Sequence, residues 1–249
     1  ARVDILLAPK TERDALEPQA ELANAIAAGK VALLDLADPD AVSDPLFNAA
    51  SMHALASPIL PLGNRRQVAR LAAKALNPDA TTLPLPANAP YGAVIVDTDA
   101  CTLCLACASL CPSGALGDNT DLPQLRVQED ACRQCALCAT VCPEKAITLQ
   151  PQLDLTDAAL SQSVLNEEEP FACIECGSLF GVKSTVERIT EKLAGNHAMF
   201  ANPDAIKMIQ MCDNCRINAQ YHSENNPFAA GERPRPRTTD DYLSKRKDH

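Results

Sequence analysis

Cysteine spacing constrains this chain more than any other feature. The 249 residues include twelve cysteines, and all of them fall into sets with two-residue gaps. The first set is Cys101-Thr-Leu-Cys104-Leu-Ala-Cys107-Ala-Ser-Leu-Cys111-Pro112. The second is Cys132-Arg-Gln-Cys135-Ala-Leu-Cys138-Ala-Thr-Val-Cys142-Pro143. Three thiolates at this spacing can wrap one face of an iron–sulfur cubane, whose irons each take a soft ligand. The fourth cysteine is carried off by a short helix, and the proline after it turns the chain because it cannot continue that helix. A disulfide framework would suit a small secreted protein, but repeated two-residue gaps place sulfurs for a metal rather than for each other.

The two sets belong to an internal repeat. Val96-Asp-Thr-Asp-Ala-Cys101 aligns with Val127-Gln-Glu-Asp-Ala-Cys132 at an offset of 31 residues, without a gap to Ala115 and Ala146. About half of the aligned positions are identical. Repeated units pack together because one unit cannot close its own core, so a pseudo-twofold relation is expected. Residues 91–150 resemble the bacterial 2[4Fe–4S] ferredoxin family on these motifs. The resemblance implies a βαβ-βαβ fold, with outer strands Tyr91–Val96 and Ala146–Gln150 paired antiparallel and an inner strand at Leu125–Val127. It also implies crossed ligation. One cluster would take Cys101, Cys104, Cys107 and Cys142, and the other Cys132, Cys135, Cys138 and Cys111.

With all eight thiolates engaged, no iron is left open for substrate, which argues against Lewis-acid chemistry. The radical-SAM spacing C-x3-C-x2-C does not occur. Reversible one-electron transfer remains. Leu103, Leu105, Ala106, Leu110, Ala136, Leu137 and Val141 are expected to surround the ligands and exclude water; exclusion makes added negative charge costlier.

The other four cysteines form a second site. Cys173-Ile-Glu-Cys176-Gly177 and Cys212-Asp-Asn-Cys215 are separated by 35 residues. Two such knuckles can complete a tetrahedral all-thiolate set, which suits a structural Zn²⁺. The same soft ligands could hold a third Fe–S cluster or a single rubredoxin-like iron. Gly177 suits a knuckle turn with positive φ. His197 and His222 lie nearby in sequence and read as surface residues, since four thiolates already suffice.

The fold class expected is α+β. Residues 1–76 read as an α/β segment, the end of a larger domain, with strands at 3–8 and 31–36 and helices at 12–28 and 65–76. Asn64 caps the last helix, whose apolar face would be Val68, Leu71, Ala72 and Leu76. Four prolines make 77–90 a stiff linker. The ferredoxin domain occupies 91–150, a helical region with the four-cysteine site 151–230, and a disordered tail 231–249. Helices are expected at 154–165 and 184–194, the second capped by Ser184 and Glu187.

The net charge is −10, and the one dense basic stretch, with Arg233, Arg235, Arg237, Lys245, Arg246 and Lys247, lies in the tail. Nucleic-acid binding is therefore not expected. No apolar run is long enough to span a bilayer, and no signal-peptide pattern is present. The chain begins at Ala1 rather than Met, the mark expected of a fragment or a processed product. No dinucleotide fingerprint, H-E-x-x-H or Ser/His/Asp pattern appears, so no small-molecule substrate is expected.

Beyond the repeat, the Cys-Ile-Glu-Cys-Gly and Met-Cys-Asp-Asn-Cys-Arg segments resemble the C-terminal part of ferredoxin-like iron–sulfur proteins associated with molybdenum- or tungsten-dependent formate dehydrogenases. The resemblance implies a cytoplasmic redox partner of such an enzyme. The reading is an electron-transfer component rather than a stand-alone enzyme. An accessory or assembly protein, using the clusters and a zinc site as a docking scaffold, is the alternative.

Overall fold

The computed structural model describes residues 3–8, 10–35, 38–47, 58–194, 203–222 and 238–239. His197 lies outside them, as does the tail apart from Thr238 and Thr239. The chain divides into two compact units, 1–169 and 170–249. Among the described residues no helix is long and apolar enough to cross a membrane.

The first unit opens with β1 (Val3–Leu7), α1 (Arg13–Ala27) and β2 (Val31–Asp35), and the two strands pair in parallel. Helix α1 ends where Ala28 and Gly29 both turn left-handed, so Gly29 shares the turn with an alanine. Then come α2 (Pro39–Phe47) and α3 (Arg65–Leu76). Asn64 and Gln67 form a reciprocal capping box that fixes the start of α3. Its packed face differs from expectation. Leu71 is 43% exposed, whereas Arg66, Arg70 and Ala73 are buried. The apolar periodicity misleads because the two guanidinium groups find buried carbonyls to bond.

The rest of the unit is built on two antiparallel sheets. The first is ordered β3 (Thr82–Pro84), β7 (Ile147–Asp154), β4 (Gly92–Val96). The second is ordered β5 (Leu116–Asp118), β6 (Gln124–Val127), β8 (Ser163–Glu167). Short helices α4 (Ala106–Ser109) and α5 (Leu137–Val141) carry the middle of each cysteine set. Strand β4 pairs with β7 from Val96↔Ile147 to Gly92↔Pro151, and β3 takes over from Pro84↔Gln152 to Thr82↔Asp154. Pro151 thus sits where the ladder passes from one neighbour to the other. The stretch expected to be a linker contributes a strand. Leu83 and Leu85 pack on the core of Ala73, Leu153 and Leu155.

Residues 154–165 do not form the expected helix. The Asp154 carboxylate accepts from the Thr156 N–H, a single 3-10 turn spans Asp157–Leu160, and β8 follows. Leu155 and Ala159 are buried four residues apart. That helix-like spacing is satisfied by one turn, because the residues after it gain more by extending the β5–β6 sheet.

The second unit contains β9 (Pro170–Ala172), β10 (Leu179–Val182), α6 (Lys183–Leu193), α7 (Pro203–Lys207) and α8 (Asp213–Tyr221). Strands β9 and β10 pair antiparallel, so this region is mixed rather than wholly helical. Helix α6 starts at Lys183 with Val182 at its N-cap, which places Ser184 inside the first turn rather than at the cap.

Candidate iron–sulfur and metal centres

The backbone shapes the first two sites. Leu103, Leu105, Gln134 and Ala136 all take the left-handed conformation, with φ of 49°, 57°, 53° and 62°. For residues with a Cβ this costs roughly 1–2 kcal/mol each, and such strain gathers at functional positions. The positions repeat at the 31-residue offset, as do left-handed Gly114 and Lys145. Alternating handedness curls the chain and can turn successive N–H groups inward, a concavity suited to anionic groups such as Fe–S sites.

Two cavities result. One is lined by Cys101, Cys104, Cys107 and Cys142, with Leu103, Leu125 and Ile147 among its apolar walls. The other is lined by Cys132, Cys135, Cys138 and Cys111, with Val94, Leu116 and Leu149. Each therefore gathers three cysteines of one motif and the fourth of the other. Burial pushes the Cys107 thiol up to about 11, and it raises Cys138 too. At Cys111 burial works the same way but is outweighed, and the thiol is lowered by N–H groups of Leu116, Ser113 and Ala115 and by the Ser113 hydroxyl. The Ala146 N–H donates to Cys142 Sγ at 3.3 Å. Four sulfurs, fixed loops and apolar walls fit a [4Fe–4S] cubane in each cavity. Shielding is less complete than expected: Leu110 and Leu137 are 57% and 49% exposed. Leu137 still lines the second cavity, at its open edge, whereas Leu110, at the C-cap of α4, lines neither.

Residues 100–147 match the family model described as a 4Fe–4S dicluster domain. The chain carries a 4Fe–4S ferredoxin-type domain. No curated protein matches the sequence.

Three contacts to this ferredoxin-type domain were not foreseen. Arg66, from α3, donates to the carbonyls of Asp130 at 2.5 Å, Pro90 at 2.7 Å and Cys132 at 2.6 Å. Its guanidinium also lies 4.0 Å from the centre of the Tyr91 ring. Arg70 donates to the carbonyls of Asp154 and Thr156 and approaches the Asp130 carboxylate at 3.6 Å. At the equivalent cysteine of the other half, the Asn166 amide donates to the Cys101 carbonyl at 3.5 Å. No local motif announces a long-range partner for an arginine or an asparagine. The Gln134 side chain donates to Cys132 Sγ at 3.5 Å and to the Ala93 carbonyl at 3.1 Å. That residue could have been found, because the repeat pairs it with an apolar Leu103.

The second unit brings Cys173, Cys176, Cys212 and Cys215 together, with all four Sγ atoms within 4.8 Å of one another. The first knuckle is the β9–β10 loop, closed by the Cys173 N–H to the Ser178 carbonyl and the Gly177 N–H to the Cys173 carbonyl. Gly177 has φ of 71°, as the turn requires. The second knuckle opens α8, with Cys212 at the N-cap. Arg216 braces it by donating to the carbonyls of Met208 and Met211. The Cys176 and Cys212 sulfurs are 3.7 Å apart. One ion bound to four thiolates at about 2.3 Å needs sulfurs about 3.8 Å apart, so the set fits a single tetrahedral ion. Burial opposes charge at Cys173, yet N–H groups of Cys176, Cys212 and Glu175 draw it down to about 6. Cys212 is lowered by the Cys215 N–H and the Ser178 hydroxyl. Cys215 is pushed up to about 12 by sharing its proton with Cys176 and Cys212. His222 is exposed beyond α8, stacked edge-on against Tyr221.

Proposed function

We propose that this protein passes electrons one at a time through two [4Fe–4S] clusters with crossed ligation. The observation that carries the reading is the sorting of eight cysteines into two cavities, three from one motif and one from the other. Cys101, Cys104, Cys107 and Cys142 hold one cluster, and Cys132, Cys135, Cys138 and Cys111 the other. When bound, such a cluster supplies reversible one-electron chemistry. The chain's own residues fix the sulfurs, exclude water with Leu103 and Leu125, and aim N–H groups at the thiolates. Each cavity uses four thiolates, so substrate has no coordination position to take.

We further propose a structural Zn²⁺ at Cys173, Cys176, Cys212 and Cys215. The sulfur separation supports it. In a cubane each thiolate sits on a different iron, which spreads the sulfurs to about 6 Å, beyond the 4.8 Å limit seen here. The partner in this reading is a cytoplasmic oxidoreductase. The resemblance of the two Cys-x-x-Cys segments points to a formate dehydrogenase. A docking scaffold is the second reading, favoured by an apolar cavity of about 420 Å³ in the second unit, lined in part by Phe180, Val186, Ile189 and Met208.

Metal and sulfide analysis with EPR on anaerobically purified protein tests the assignment. About eight irons, eight sulfides and one zinc per chain are expected from these ligand sets. Four irons and four sulfides would sink the two-cluster reading. Reversible reduction, and electron uptake from a formate-reduced formate dehydrogenase, would favour the carrier over the scaffold.

A further inference from the structure

The two cavities are lined by residues equivalent under the 31-residue offset, so their differences can be read position by position. Thr102 in the first corresponds to Arg133 in the second, Leu103 to Gln134, and Glu144 to Ser113. Outside the repeat, the Cys101 carbonyl receives a neutral amide from Asn166, and the Cys132 carbonyl a guanidinium from Arg66. We propose that these differences split the potentials of the two clusters, making the Cys132/Cys135/Cys138/Cys111 cluster the one that holds the electron. The proposal rests on the two-cluster reading above.

The charged and hydrogen-bonding differences among the lining residues act in one direction. A reduced cluster carries one more negative charge, so cations and hydrogen bonds to sulfur favour reduction, and anions oppose it. On the Cys132 side, Gln134 donates to Cys132 Sγ at 3.5 Å; the matching Leu103 is buried and apolar and has nothing to donate. Arg66 is 8% exposed, so its charge is poorly screened, and it bonds a ligand's own carbonyl. Arg133 adds a second cation at the rim. On the Cys101 side the rim carries the Glu144 carboxylate. Ala136 and Leu137 are exposed, whereas their counterparts Leu105 and Ala106 are half-buried, and access to water again favours the charged state on the Cys132 side.

The acidic lead-ins do not cancel the effect. The lead-ins carry two carboxylates each, Asp97 and Asp99 against Glu129 and Asp130. Asp130 is matched by Arg70 at 3.6 Å. Lys145 follows Glu144 and, unlike the likewise exposed Arg133, does not line its cavity. The internal step is a bare electron transfer. One electron leaves the Cys101-side cluster, which is oxidised, and arrives at the Cys132-side cluster, which is reduced, with no proton moved and no bond broken. The external donor is any low-potential one-electron reductant.

The test is an EPR-monitored potentiometric titration of the full chain with both clusters loaded, using dithionite as donor. Two one-electron steps are expected, favouring the Cys132-side cluster by at least tenfold, a gap of about 59 mV. Replacing Arg133→Thr together with Gln134→Leu installs the residues of the other half. It should lower the upper step and leave the lower one in place. Thr102→Arg should raise the lower step and narrow the gap, and it keeps the idea testable if the double variant folds poorly. Coincident steps in a parent protein with eight irons would overturn the split alone. So would a double variant that shifts the lower step, or a Thr102→Arg protein with an unchanged gap. Four irons per chain would overturn the two-cluster reading, and the split with it.

Discussion

Arg66→Met removes a cation that ties α3 to the ferredoxin-type domain while keeping most of the side chain's length. Arg66 satisfies the carbonyls of Pro90, Asp130 and Cys132, and its own residue is 8% exposed. Leaving a buried acceptor unmet costs about 1–3 kcal/mol. Some relief comes from water at the partly open edge, so the lower end applies, about 3 kcal/mol for three acceptors. Loss of the cation over Tyr91 adds about 1 kcal/mol. The sum, about 4 kcal/mol, is a large share of the roughly 5–15 kcal/mol that holds a domain together. Iron–sulfur proteins lose metal as they unfold, so the useful quantity is a rate. The assay is the anaerobic loss of visible cluster absorbance at fixed guanidinium concentration. If only a third of the energy appears in the unfolding barrier, the rate still rises about tenfold. Arg66→Lys should fall between, because an ammonium cannot reproduce the planar fork. Arg65→Met, at the exposed neighbouring position, is the control. An Arg66→Met protein that bleaches within about twofold of the parent, well short of that tenfold, would refute the reasoning.

Cys142→Ala should damage the cluster proposed at Cys101, Cys104 and Cys107, some forty residues earlier, with which it shares a cavity. EPR that showed only the Cys132 cluster altered would disprove the crossing. Cys212→Ala should open 170–220 to proteolysis and remove zinc, because metal binding adds directly to folding energy. The visible spectrum of the ferredoxin-type domain should persist, and loss of iron and sulfide instead would mean a third cluster. Loading zinc into the metal-free site at neutral pH should release protons, since Cys215 with a pKa of about 12 must give its own up. Affinity should already fall with pH near neutrality and fall more steeply below the value of about 6 at Cys173, where a second sulfur starts to hold a proton. A pH-independent affinity from pH 8 to about 5 would contradict that ordering.

The cysteine sets were legible in the sequence because ligand spacing is local and each motif carries its own turn chemistry. Asn64 marked the start of α3 for the same reason, although its partner Gln67 emerged only in the structure. What escaped depends on distant partners. Arg66 and Arg70 look like surface charges in a helical pattern until the carbonyls they meet are in place. Strand β8 is a run of five residues, Ser-Val-Leu-Asn-Glu, whose state is decided by β6 rather than by its own composition. The exposure of Leu110 and Leu137 follows from how short α4 and α5 are, which apolarity alone does not reveal.

The passage of β7 from β4 to β3 sets a limit on where this protein can be cut. The family match ends at residue 147, at the first residue of β7. A piece trimmed to that boundary would keep all eight cysteines of the two motifs yet lose the strand that closes β4. A piece begun after β3 would bare Gln152–Asp154 as an unpaired edge, open to pairing with another molecule. The smallest portion able to stand alone with both cavities therefore has to reach back to α3, whose Arg70 bonds that same margin, and forward through β8.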